Sequence, residues 1–109
     1  MGGLGVALGA FGAHGLKQIL SPQLLETYKT GILYHLIHSV VLLALALNSR
    51  YNLSSPFYII FAGTILFSFS LYIYVLSGTT FFAMITPIGG ICLIVGWLSI
   101  VFSLLKNKT

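Results

Sequence analysis

Apolar residues run along this chain in long unbroken blocks, separated by short polar punctuation. No Asp, Glu, Lys or Arg occurs from about Thr30 to Leu47, from about Phe57 to Ser77, or from about Phe81 to Leu105. Each block supplies roughly 20 residues, the length a helix needs to cross a bilayer's hydrocarbon core. A helix on the surface of a soluble protein shows a polar face at 3.6-residue spacing. These blocks are apolar all round, and they predict three transmembrane helices. The first segment, Met1 to Leu16, is also charge-free but carries six glycines: Gly2, Gly3, Gly5, Gly9, Gly12 and Gly15. As a helix it rises about 24 Å, short of a full crossing. No Lys or Arg precedes it and no small-residue cleavage site follows, so a signal peptide fits poorly. The expected fold is therefore an all-α integral membrane protein. It is a four-helix transmembrane bundle in a single domain, residues 1–109, with approximate spans 1–16, 30–47, 57–77 and 81–105.

The punctuation refines this picture. Ser21-Pro22 is a helix-start signal, a capping hydroxyl followed by a residue whose missing N–H costs nothing at the first helical position. A helix could run from Pro22 unbroken into the second span. Pro87 falls inside the fourth block, where it removes a backbone hydrogen bond and displaces the preceding turn. Two readings follow: the regular helix starts near Pro87 after a bent lead-in over residues 79–86, or a kink there opens a polar pocket around Thr86.

Helices in lipid associate through close van der Waals contact and interhelical hydrogen bonds, because lipid tails are as apolar as leucine. Small residues at regular spacing are then informative. Gly5, Gly9 and Gly12 form one smooth stripe, and Gly89, Cys92, Gly96, Ser99 and Ser103 form another. Both predict tight packing, within one chain or between copies.

Composition and charge exclude more than they specify. Only 6% of the 109 residues are charged, against about a quarter in an ordinary soluble domain. The five basic residues are dispersed, so no patch exists to hold a phosphate backbone, and nucleic acid is not an expected partner. The expected partners are the lipid bilayer and a second copy or another membrane protein. One cysteine, Cys92, excludes an internal disulfide framework and a cysteine-based metal centre. With four spans, Arg50, Lys106 and Lys108 lie on the side of the N-terminus, and Lys17 and Lys29 on the other. The richer side is expected to be cytoplasmic, with both termini there, in a multi-pass protein of the cytoplasmic membrane.

Polar groups inside a membrane are costly and usually face a bundle interior or a wet cavity. His14, Glu26 (the single acidic residue), Tyr34 and His38 are the candidates for one polar cluster near an end of the bundle. Thr27, Gly31, Tyr34 and His38 share a helical face. In the third span Thr64, Ser68 and Tyr72 form one stripe, and Ser70, Tyr74 and Ser77 another. His35 and His38 could together reach one metal ion, completed by His14 or Glu26, but the spacing is not that of helix-borne metal sites, and no metal or cofactor is expected. His38 reads first as a neutral, hydrogen-bonded packing residue and second as a proton-responsive one. Glu26 reads first as a surface partner of Lys29. No nucleophile elbow, P-loop or dinucleotide fingerprint is present, nor a second carboxylate for paired acid–base chemistry, so an enzyme is not expected.

The run Gly9-Ala10-Phe11-Gly12-Ala13-His14-Gly15-Leu16, with Tyr34 and His38 ahead of Ser39-Val40-Val41-Leu42-Leu43-Ala44-Leu45, resembles a known pattern. Phe67-Ser68-Phe69-Ser70-Leu71-Tyr72 and Thr86-Pro87-Ile88-Gly89-Gly90 with Gly96-Trp97 extend it. Together they are similar to the small bacterial membrane proteins grouped as domain of unknown function 423. The resemblance implies a four-helix protein of the cytoplasmic membrane with no activity attached. Two departures stand out. Similar proteins have a longer apolar stretch before the GAFGAHG motif, so the first helix is expected to be incomplete at its N-terminus. Phe69 also stands where the family pattern has glycine. The functional expectation is a structural or interaction bundle, or an accessory subunit. The alternative is a small transporter, proton conduit or lipid-binding module using His14, Glu26, Tyr34 and His38.

Overall fold

The computed structural model describes residues 1–16 and 18–107, which leaves Lys17 and Lys108 of the charge count outside the described residues. Four helical segments follow one another. The first, α1, is Gly2–Leu16: an α-helix over Gly2–Phe11 that widens into a π turn over Gly12–Leu16. The others are α2, Pro22–Leu47, α3, Ser54–Ser77, and α4, Thr80–Asn107. Helices α2, α3 and α4 are long and apolar enough to cross a membrane. In lipid every backbone N–H and C=O must be satisfied within the chain, which is why long helices joined by short turns are the solution here.

Local sequence sets the ends. Ser21 caps α2, its hydroxyl accepting from the Leu24 N–H at 3.2 Å, with Pro22 at the first helical position. The helix continues from there into the membrane block, eight residues ahead of the Thr30 boundary. Asn48 ends it by folding its side-chain carbonyl back onto the Arg50 and Tyr51 N–H groups, both at 3.3 Å. Gly78 stops α3 in the left-handed conformation, φ +71°, with its N–H on the Tyr74 carbonyl at 2.8 Å. A side chain there would be strained.

Pro87 does not start a helix. Instead α4 runs through it from Thr80, so the bent lead-in over residues 79–86 is not what forms. In water a helix can begin late at a proline, because the freed backbone groups find solvent. In hydrocarbon, an irregular 79–86 would expose far more unpaired backbone than the one bond proline removes. Thr86 is tied to α3: its hydroxyl meets that of Ser70 at 2.7 Å.

Two apolar clusters hold the bundle, one around Leu16, Tyr28, Tyr72 and Val75, the other around Leu42, Ile60 and Leu93. The small-residue stripes lie inside the chain. A Cβ on Gly5 would come within 2.7 Å of Leu36 Cδ2, and one on Gly96 within 2.5 Å of Ile60 Cδ1. On Gly12 it would enter the Tyr28 ring, and on Gly89 the backbone of Leu66 and Phe67. Gly9 differs, because its added Cβ would meet only Ile32 Cγ2 at an ordinary 3.4 Å. Gly9→Ala should therefore leave the melting temperature in detergent nearly unchanged. Gly12→Ala should lower it, since the Tyr28 ring is held by its own hydrogen bond and has no free end to swing away.

Candidate functional site

Where α2 passes between α1 and α3, the interior is polar. Along α2 the buried positions are Tyr28, Gly31, His35, His38, Ser39 and Leu42, spaced by threes and fours as on one face of a helix. Thr64, Ser68 and Tyr72 are buried on α3. The Ser68 hydroxyl donates to the Gly31 carbonyl at 2.8 Å. The missing side chain at Gly31 makes room for the Tyr72 ring, whose Cε1 would lie 2.9 Å from a Cβ there.

His35 is fully buried, and its two ring nitrogens have fixed roles. Nε2 faces the Met1 carbonyl at 2.9 Å, an acceptor only, so Nε2 carries the proton. Nδ1, at 2.9 Å from the Tyr72 hydroxyl, then accepts from it. Tyr28 closes the same layer by donating its hydroxyl to the Leu8 carbonyl, with its ring 5.3 Å from that of Tyr72. This one layer ties α1, α2 and α3 together through groups that reach across between helices.

His38 works in the opposite direction, toward α4. Trp97 Nε1–H is a donor only, and it points at His38 Nε2 at 3.1 Å, so that nitrogen is the acceptor. The proton then sits on Nδ1, which donates to the Tyr34 carbonyl one turn back at 2.8 Å. The two histidines thus hold opposite tautomers and serve different helix pairs. Tyr34 stacks on His38 with centroids 6.0 Å apart and leans on Phe67 at 4.5 Å. Removing the acceptor should cost about 0.6–1.7 kcal/mol, the range measured for interhelical hydrogen bonds in membranes. His38→Leu should lower stability by that amount and shift Trp97 emission, which reports alone because the chain has one tryptophan. His38→Gln, which keeps an acceptor, should move both less.

The four residues read as one cluster are not brought together. Tyr34 and His38 touch. His14 lies exposed in the π turn of α1. Glu26 is on the outside of α2, its carboxylate 3.9 Å from Lys29 Nζ, the side chains 77% and 61% exposed. Among the described residues no hydrogen bond or ion pair joins His14 or Glu26 to Tyr34 or His38. No three His, Cys, Asp or Glu side chains among them gather closely enough to hold a metal ion. An exposed pair such as Glu26–Lys29 contributes little, so Glu26→Gln should leave the melting curve in place.

His35, Tyr72 and Trp97, read from the sequence only as a possible metal partner, a stripe member and part of the family pattern, are the residues that complete the polar layer with His38. Their signal was present: 28, 31, 35, 38 and 42 is a better-filled helical face than the one through Thr27, Gly31, Tyr34 and His38, and it pairs with the Thr64-Ser68-Tyr72 stripe.

Long apolar helices joined through such a buried hydrogen-bonded layer define an α-helical integral membrane protein, with the lipid bilayer as its surroundings. The chain belongs to the family described as "Protein of unknown function (DUF423)", which matches residues 8–90. It is 37% identical over 108 residues to the UPF0382 membrane protein YwdK of Bacillus subtilis, covering 94% of this chain and 88% of that one. Identity to a UPF0382 membrane protein of Haemophilus influenzae is 39% over 109 residues, covering 95% and 86%. With the UPF0382 inner membrane protein YgdD of Escherichia coli it is 36% over 107 residues, covering 94% and 82%. No solved structure matches the chain.

Proposed function

We propose that the protein is a structural bundle of the cytoplasmic membrane, acting as an accessory or interaction subunit for another membrane protein or for copies of itself, without enzymatic activity. The observation that carries this is internal satisfaction. Among the described residues no buried side-chain nitrogen or oxygen lacks a hydrogen-bond partner. Catalysis and ion passage both need polar groups free to change partners, and the fixed tautomers of His35 and His38 leave neither ring an open nitrogen. A conduit through His14, Glu26, Tyr34 and His38 has less support, because two of the four lie outside. What the chain offers instead is its outer surface, where Leu98, Val101 and Phe102 of α4 stand well exposed. The name of the E. coli relative supports the cytoplasmic membrane. The basic residues support an orientation with both termini and the Arg50 loop in the cytoplasm.

Two measurements test the reading. Proteoliposomes loaded with a pH dye should take up protons no faster than empty liposomes. A photo-crosslinker at Leu98 or Val101, used in native membranes, should give a protein adduct of one defined mass. Proton uptake above background that His38→Gln removes, together with adducts to lipid alone, would sink the proposal.

A further inference from the structure

We draw no further inference here: the strongest candidate, the exposed apolar face of α4 through Met84, Ile88, Ile91, Val95, Leu98 and Phe102, is an unpartnered helix face, and nothing in the structure shows what covers it.

Discussion

Gly89→Ala should leave little folded protein, while Gly90→Ala, one residue further on, should be neutral or slightly stabilising. The two substitutions are chemically identical and sit in the same helix, so their difference isolates packing. At Gly90 an added Cβ would meet only the Phe67 ring, at 3.7 and 3.8 Å, which is ordinary contact. Replacing glycine within a helix by alanine is worth roughly 0.5–1 kcal/mol in backbone entropy, and nothing at Gly90 offsets that. At Gly89 the added carbon would fall on the Phe67 nitrogen and the Leu66 carbonyl carbon. These are main-chain atoms in the π turn of α3, Ile65–Phe69, and no side chain can rotate away to make room. The whole α3–α4 contact would have to open, with the Ser70–Thr86 hydroxyl pair and the Cys92–Ile59 hydrogen bond on its two sides. Overpacking of a well-filled core costs about 1–3 kcal/mol and more where the backbone is the obstacle, which outweighs the entropy gain. Thermal unfolding followed by size-exclusion of a fluorescent fusion would compare the two. Equal melting temperatures would mean that α3 and α4 do not approach this closely.

That contact also marks where sequence patterning succeeds and where it stops. Membrane blocks are legible because hydrocarbon forbids charge over a fixed thickness, so the boundaries at Asn48-Ser49-Arg50 and Ser77-Gly78-Thr79 stand out without any knowledge of packing. Small-residue stripes mark which faces approach closely, but the residue each glycine meets depends on helix rotation, and the stripe alone does not separate Gly9 from Gly12. A late helix start at Pro87 is open to a chain in water, where a free backbone carbonyl finds solvent. In lipid that option is closed. The polar site was harder. Reading the face of α2 through Thr27 and Tyr34 instead of Tyr28 and His35 keeps Gly31 and His38 but turns the face by roughly half of the 100° between successive residues, which leaves His35 off it. Only the partner stripe on α3, Thr64-Ser68-Tyr72, fixes the rotation, and that pairing is tertiary information. Likewise nothing local reveals that Trp97 lies against His38, 59 residues away.

Tyr72→Phe should destabilise the bundle markedly, and adding His35→Leu to it should cost less than the sum of the two single changes. In the unaltered protein the Tyr72 hydroxyl donates to His35 Nδ1 inside a layer from which both lipid and water are excluded. Removing the hydroxyl leaves a buried ring nitrogen with no donor. The penalty is then that of an orphaned acceptor, about 1–3 kcal/mol, which is larger than the net worth of the hydrogen bond itself. His35→Leu alone strands the Tyr72 hydroxyl and takes away one of the two donors to the Met1 carbonyl, loosening the seat of α1, so it should be the worse of the single variants. Once Tyr72 is phenylalanine, a leucine at 35 no longer strands a hydroxyl, and the Met1 carbonyl still accepts from the Gly5 N–H. The cycle should therefore show a coupling of about 0.5–1.7 kcal/mol, bounded by what contacting residues and membrane hydrogen bonds show elsewhere. Steric loss alone would give additive costs, because phenylalanine preserves the ring contacts that Tyr72 makes with Tyr28 and Phe69. Additivity would mean that the hydroxyl and the imidazole do not meet. Positive coupling would show that the join between the glycine-rich first helix and the rest of the bundle is a hydrogen-bonded layer, in which the direction of each proton is set by its partner.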